Sequence, residues 1–111
     1  MAGEERTLQE LCAVLGISRR AVQGYEKYGL VRSTGRTKRG YLLYDTESQE
    51  RIVRIRCLQE YGFPLKEVAA LLSASPEEQR LRLLEKRVLL LKRQEQLEEI
   101  LARLDGELEA L

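Results

Sequence analysis

The chain has 111 residues, two cysteines, no histidine and a formal net charge of +1. This length fits one compact domain with an appendage. Without histidine, Ser-His-Asp and Cys-His catalytic sets are excluded, and without a Cys-x-x-Cys pair no metal site is expected.

The rest of the composition gives no sign of an enzyme, a cofactor or a membrane segment. No glycine-rich phosphate loop is present, and no apolar run is longer than five residues. No secretion leader is recognisable, and Cys12 and Cys57 lie among apolar residues of predicted helices, which is typical of structural thiols in a reducing compartment. We therefore expect a cytoplasmic, non-enzymatic protein that needs no cofactor and does not bind membranes.

The small net charge conceals a strongly basic segment. Residues 19–44 contain seven Lys and Arg against one acid, Glu26, and the rest of the chain is net acidic. A local excess of this kind is typical of a surface that binds a polyanion. The alternative is a solvated basic loop, which the helical motif in the same segment disfavours.

The N-terminal third predicts a helix-turn-helix. Residues 1–6 are polar and expected to be frayed. Thr7 and Glu10 are spaced for a capping box, and Gly16 suits a left-handed helix end. After a Gly-Ile-Ser joint, Ser18 caps a second helix. The predicted inward-facing residues are Leu8, Leu11, Cys12, Leu15, Ala21, Val22 and Tyr25.

The second helix, which ends at Gly29, has the features of a recognition helix. Arginine and glutamine side chains reach phosphates and base edges when such a helix lies in a major groove. The candidate DNA-contacting residues on its outer face are Ser18, Arg19, Arg20 and Gln23.

A β-hairpin is predicted next. Residues 30–32 and 41–44 have the composition of extended segments, and the basic loop 33–39 lies between them. As a wing, this loop would lie along the phosphate backbone and contribute affinity and register. Tyr41 and Tyr44 are expected to anchor the hairpin to the core more readily than to stack on bases. The candidate DNA-contacting residues of the wing are Arg36, Lys38, Arg39 and Tyr41.

Two more helices complete the predicted domain. Asp45 caps a third helix over about residues 46–61, Gly62 ends it, and Pro64 leads into a short fourth helix. Residues 1–75 thus form a mainly α winged helix-turn-helix DNA-binding domain. The predicted inner residues are Ile52, Ile55, Leu58 and Tyr61 in the third helix and Leu65, Val68, Ala69 and Leu72 in the fourth.

Residues 76–111 are predicted to form one long dimerisation helix. Ser75 and Glu78 are spaced for a capping box, and Pro76 takes the first helical position. At 1.5 Å per residue the helix is roughly 50 Å long. Leucine recurs every seven residues, which indicates a coiled-coil seam. The repeating positions are Leu83, Leu90, Leu97, Leu104 and Leu111.

The long helix has a second apolar stripe on its first half, formed by Leu81, Leu84, Val88 and Leu91. Since one helix with two apolar faces needs two partners, we expect the second half to pair with a second copy and the first half to pack on a DNA-binding domain. The alternative is a helix that folds back on its own chain. The dimerisation residues predicted for this coiled coil are Leu90, Leu97, Ile100, Leu101, Leu104, Leu108 and Leu111.

Over essentially its whole length the sequence resembles the mercury-resistance-regulator (MerR) family of bacterial transcription regulators. The resemblance is carried by TLQELCAVLGISRRAVQGYEKYGLV, GYLLYD and LQEYGFPLKEVAALL, followed by the long helix. It implies a winged helix-turn-helix dimer held by an antiparallel coiled coil. It also implies that Arg20 and Gln23 face the groove, that Tyr25 touches the DNA backbone and that the wing cations grip phosphates.

The same resemblance implies partners and location. These are double-stranded promoter DNA and a second copy of the chain, with RNA polymerase left open as a third partner, in the bacterial cytoplasm in association with the nucleoid. Family sensors carry Cys or His near the end of the dimer helix, or continue into a ligand-binding domain, and this sequence shows neither. Either these residues are one part of a longer protein, or effector control lies outside the polypeptide.

The sequence therefore predicts a dimeric, sequence-specific transcriptional regulator that binds and distorts a pseudo-palindromic promoter site. The alternative is a winged-helix protein-interaction adaptor of chaperone-modulator-like or antitoxin-like type. An adaptor would retain its protein partner after neutralisation of Arg19, Arg20, Arg36 and Arg39.

Overall fold

The computed structural model describes residues 4–111, which are mainly helical and form two compact units. The first unit extends to Ala70, and the second comprises Leu71–Leu111. In chain order the elements are β1 (Arg6–Thr7), α1 (Leu8–Leu15), α2 (Arg19–Lys27), β2 (Gly35–Arg36), β3 (Leu42–Tyr44), α3 (Thr46–Glu60), α4 (Leu65–Ser73) and α5 (Pro76–Ala110).

The helix-turn-helix begins and ends where the sequence predicts. The Thr7 hydroxyl accepts from the Glu10 N–H (3.3 Å) and the Glu10 carboxylate accepts from the Thr7 N–H (2.9 Å), which completes the capping box. The bond from the Thr7 N–H lowers the pKa of the Glu10 carboxyl. Gly16 ends α1 at a φ of 63°, a left-handed conformation that glycine adopts without a Cβ clash. The Ser18 hydroxyl then accepts from the Ala21 N–H (3.1 Å) at the start of α2.

A small antiparallel sheet joins the N-terminal residues to the wing. Its strand order is β1-β3-β2, with Arg6 opposite Tyr44 on one side of β3 and Gly35 opposite Leu43 on the other. The predicted fraying of residues 1–6 is therefore wrong at Arg6, and the first three residues lie outside the described part of the chain.

The hairpin lies further along the chain than the sequence predicts. Its first strand is Gly35–Arg36, and the prediction of a strand at residues 30–32 is wrong. Leu30 and Val31 are only 6% and 7% exposed, so these two apolar residues belong to the core and not to a strand of the wing. The loop of the wing is therefore residues 37–41.

The buried residues of α3 and α4 match most of the predicted inner stripes. In α3, Ile52, Ile55 and Leu58 are buried, but Tyr61 is 43% exposed because it follows the last helical residue. In α4, Val68 is buried, and Leu71, which the sequence did not single out, is 2% exposed. The other predicted inner residues of α4, which are half-buried, are Leu65, Ala69 and Leu72.

The long helix α5 begins as predicted. The Ser75 hydroxyl accepts from the Glu78 N–H (3.2 Å), and Pro76 takes the first helical position. The predicted capping box is only half formed, because the Glu78 carboxylate accepts from Nε of Arg82 (3.0 Å), one turn further along the helix.

Both apolar stripes of α5 are exposed within a single chain. No residue of α5 is buried, and the stripe formed by Leu81, Leu84, Val88 and Leu91 is between 44% and 53% exposed. Leu111 follows the last helical residue and is fully exposed. The seam residues between 48% and 62% exposed are Leu90, Leu97, Ile100, Leu101, Leu104 and Leu108.

Candidate nucleic-acid interface

Helix α2 separates its apolar residues from its polar ones. Val22 is fully buried, whereas Arg19, Arg20 and Gln23 are exposed. The Ser18 hydroxyl caps the helix, which places the two arginines in its first turn. Side chains of the first turn contact base edges when such a helix enters a major groove. The polar face of α2 therefore has the residue types and the exposure that direct readout requires.

The loop of the wing is closed by its own hydrogen bonds. Nη1 of Arg36 donates to the carbonyl oxygen of Gly40 (2.8 Å), and the Gly40 N–H donates to that of Thr37 (2.9 Å). Gly40 has a φ of 86°, which side-chain-bearing residues rarely adopt. Lys38 and Arg39 lie at the turn and are exposed. The wing thus presents Lys38 and Arg39 on a short loop that is closed by hydrogen bonds, and Arg36 at the end of β2.

Tyr41 is on the surface. Its side chain is 61% exposed, so the prediction that it anchors the hairpin to the core is wrong, because the residue belongs to the loop that precedes β3. Tyr41 and Arg19 line one groove of about 510 Å³, which runs along the first turn of α1. The start of α2 and the wing therefore lie side by side, and the sequence predicts that both contact DNA.

Tyr25 is placed in the core. Its side chain is 3% exposed, and its hydroxyl donates to Oε1 of Gln59 on α3 (2.6 Å). Burial raises the pKa of the Tyr25 hydroxyl, which remains a neutral donor at neutral pH. The family resemblance implies that Tyr25 contacts the DNA backbone, but its buried side chain does not support this role. Tyr25 instead joins α2 to α3.

A second tyrosine joins α2 to the wing. Tyr44 of β3 is fully buried, and its hydroxyl donates to the carboxylate of Glu26 on α2. Burial and this hydrogen bond both raise the pKa of the Tyr44 hydroxyl. The expectation that Tyr44 anchors the hairpin is thus matched by the contacts of its side chain.

The buried Gln49 of α3 is a residue that the sequence did not single out. Its side-chain amide donates to the carbonyl oxygens of Tyr44 (2.8 Å) and Glu4 (2.9 Å), and its oxygen accepts from Nη1 of Arg6 (2.5 Å). Gln49 lies one turn before Ile52, on the inner stripe of α3, and a polar residue at such a position is the signal that could have identified it.

The exposed cations of α2 and of the wing loop form no salt bridges with carboxylates of the described residues. Among residues 4–111 no salt bridge joins a carboxylate to Arg19, Arg20, Lys38 or Arg39, and the single acid between residues 19 and 44 accepts the Tyr44 hydrogen bond. Their positive charge remains available to an external polyanion.

Neither a metal-binding cluster nor a membrane-spanning helix is found in the described part of the chain. It contains no group of three or more Cys, Asp or Glu side chains that could hold a metal ion. Cys12 and Cys57 are free and half-buried. In the same residues, no helix combines the length and the apolar character needed to cross a membrane.

Comparison with sequence families gives a match over more than half of the chain. The family description that matches is "MerR HTH family regulatory protein", and the match covers residues 6–75. Every element from β1 to α4 lies within this range.

Curated relatives match a little more than half of the chain. Nodulation protein NolA of Bradyrhizobium diazoefficiens is 42% identical over 59 residues, which are 53% of this chain and 25% of NolA. The mercuric resistance operon regulatory protein of Bacillus cereus is 35% identical over 63 residues, 57% of this chain and 48% of that protein. The matched region thus spans a quarter to a half of these relatives.

Among solved structures, the fold is similar to that of HiNmlR, which is described as a MerR family regulator lacking the sensor domain, bound to promoter DNA. The TM-score is 0.65 at 24% sequence identity, and the match covers 92% of this chain and 80% of HiNmlR. This likeness concerns the fold and extends beyond residue 75.

Proposed function

Because the chain belongs to the MerR family of helix-turn-helix regulatory proteins, we propose that it is a dimeric, sequence-specific transcriptional regulator that binds and distorts a pseudo-palindromic promoter site. The proposal includes a non-enzymatic role in the bacterial cytoplasm, in association with the nucleoid. Residues 1–75 are the DNA-binding domain and residues 76–111 the dimerisation helix. The end of the family match at residue 75, next to the start of α5, supports this boundary.

The observation that carries the DNA-binding proposal is the joint exposure of two sets of polar side chains. Arg19, Arg20 and Gln23 lie on the outer face of α2. Lys38 and Arg39 lie on the loop of the wing, and this loop lines one groove with Arg19 at the start of α2. In a winged helix-turn-helix, the helix would read base edges while the wing contacts phosphates. We assign the DNA-contacting role to Arg19, Arg20, Gln23, Arg36, Lys38, Arg39 and Tyr41, with Ser18 as the cap that positions the helix.

The proposed dimer rests on the leucine seam of α5. Leu97, Leu104 and their neighbours are about half exposed in a single chain. Full burial of an exposed leucine is worth about 1.5–3 kcal/mol, so completing the burial of each half-exposed leucine against a partner stabilises the assembly by about half of that. A small domain has only about 5–15 kcal/mol of net stability, so this contribution is large. We propose that the second half of α5 pairs with a second copy in an antiparallel coiled coil, and that the first half packs on a DNA-binding domain.

Distortion of the promoter follows from the rigidity of such a dimer. Helix α5 has 35 residues, which gives it a length of roughly 50 Å, and one turn of DNA is roughly 34–36 Å long. The protein would thus fix the distance between the two DNA-binding domains. Where that distance does not match the half-sites of relaxed DNA, the duplex must bend or untwist to engage both. RNA polymerase is the partner that a bound promoter would bring to the dimer.

The salt dependence of binding tests the proposed function. The assay uses a duplex enriched by the wild-type chain from a random-sequence pool. If the dimer makes roughly eight phosphate contacts, the logarithm of the association constant should fall with the logarithm of salt concentration at a slope of about −7. Fluorescence anisotropy at four or five salt concentrations measures the slope.

A matched control is the same titration with an unselected duplex of equal length. It should bind more weakly with a similar salt slope, since the phosphate contacts are shared. No enrichment from the pool, or a slope close to zero on the enriched duplex, would falsify the proposed function.

A further inference from the structure

The recognition helix and the wing are linked by a polar contact between a half-buried and a buried side chain. Glu26 lies on α2, one turn after Gln23, and its carboxylate accepts a hydrogen bond from the hydroxyl of Tyr44 in β3. Glu26 is half-buried and Tyr44 is fully buried. The bond therefore connects the two elements that the proposed function assigns to base edges and to phosphates.

The wing end of this link is firmly held. β3 is the central strand of the sheet, and the carbonyl oxygen of Tyr44 accepts from the side-chain amide of Gln49 (2.8 Å). The next residue, Asp45, caps α3 by accepting from the Ser48 N–H (2.8 Å). Tyr44 is thus fixed at its backbone to α3 and at its hydroxyl to α2.

The helix end of the link is held as well. Tyr25, the residue before Glu26, is buried and donates its hydroxyl to Gln59 of α3. The α2 backbone around Glu26 is therefore seated on α3. Loss of the Glu26–Tyr44 contact would remove the direct link between α2 and the wing and allow the wing to move relative to α2.

We propose that Glu26 and Tyr44 are positioning residues that fix the wing relative to the recognition helix, so that both engage one DNA half-site without rearrangement. This inference rests on the proposed function. Neither side chain needs to touch DNA. Binding by a pre-organised pair of elements avoids the loss of conformational entropy that a loose wing would incur on association.

Because Glu26 is negatively charged, the direction in which its substitution changes DNA affinity tests the inference. A carboxylate inside a cationic surface repels phosphates, so by charge alone its removal should strengthen DNA binding. If Glu26 is a positioning residue, removal of its acceptor oxygen should weaken binding. The substitution Glu26→Gln keeps an acceptor oxygen for the Tyr44 hydroxyl, whereas Glu26→Leu does not.

The experiment compares Glu26→Gln, Glu26→Leu and Tyr44→Phe with the wild-type chain on the duplex that the wild type enriches. Affinities are measured at a temperature at which thermal unfolding shows every variant to be folded. We expect Glu26→Gln to bind as tightly as the wild type or more tightly. Glu26→Leu and Tyr44→Phe should each bind about tenfold more weakly, because a wing loosened by loss of the bond must be ordered when the duplex binds.

Tyr61→Phe is the matched control, since Tyr61 lies outside the candidate interface and is 43% exposed. It should bind like the wild type. Hydrogen exchange of the wing in the free protein provides a readout without DNA, and Tyr44→Phe and Glu26→Leu should both accelerate it.

Two results would overturn the inference. In one, Glu26→Leu binds as tightly as Glu26→Gln, so that only charge matters. In the other, Tyr44→Phe matches the wild type in affinity and in wing exchange. In either case a wild-type chain that binds its enriched duplex leaves the proposed function intact, whereas a wild-type chain that binds no duplex contradicts both.

Discussion

Replacing Arg20 with alanine is expected to weaken binding to the preferred duplex by about 1–3 kcal/mol per half-site and to relax the sequence preference at one base pair. Arg20 is exposed in the first turn of α2, the part of a recognition helix whose side chains contact base edges when the helix enters a major groove. Titrations against the enriched duplex and its single-base variants measure both effects. The variant should bind the duplexes that differ at the contacted base pair with equal affinity.

Lys38→Ala is the comparison for Arg20→Ala, because Lys38 is an exposed cation of the wing and not of the recognition helix. Its loss should weaken all duplexes alike and make the salt slope shallower by about 1 for each phosphate contact removed. If Arg20→Ala also weakened all duplexes to the same extent, α2 would not be the element that reads the sequence.

The double substitution Leu97→Lys and Leu104→Lys is expected to abolish dimerisation. Both leucines lie on the seam of α5 and are about half exposed in the single chain. A homodimer buries four such side chains, and completing the burial of each half-exposed leucine contributes about half of the 1.5–3 kcal/mol that a fully exposed leucine would give. The dimer dissociation constant should therefore rise at least about a hundredfold, at about 1.4 kcal/mol for each factor of ten. Sedimentation velocity at micromolar concentration measures the change, and affinity for the enriched duplex should fall with it.

The control for this variant is Glu98→Gln with Glu99→Gln. It adds the same positive charge to α5, at exposed positions outside the leucine seam, and removes no apolar side chain. The control should remain a dimer. A Leu97→Lys and Leu104→Lys chain that sediments like the control would show that this seam is not the dimer interface.

The sequence predicted the helices well because the signals that set their ends are local. Thr7 with Glu10, Ser18, Asp45 and Ser75 each bond to a backbone N–H three residues away, so a short window of sequence contains the whole interaction. Exposed Arg20 and Lys38 could likewise be predicted, since a charged side chain next to a capped amphipathic helix or a glycine-bounded loop is rarely buried.

The errors concern contacts between residues that are distant in sequence. Strand β1 pairs with β3, from which it is separated in the chain by α1, α2 and β2, and no local periodicity indicates a strand of two residues. Tyr41 and Tyr44 have similar local surroundings, yet Tyr44 in the central strand β3 is buried, whereas Tyr41 in the loop before β3 is exposed. Tyr25 and Gln59 are also far apart in the chain, so their bond could not be predicted from either segment.

In the proposed assembly, two cationic DNA-binding domains are carried by one pair of leucine-seamed helices. Sedimentation equilibrium of the wild-type chain, alone at micromolar concentration and with its enriched duplex, determines how many chains it contains. We expect twice the mass of one chain for the free protein and two chains bound to each duplex. A stable, fully helical single chain, or a complex with one chain on each duplex, would contradict this assembly.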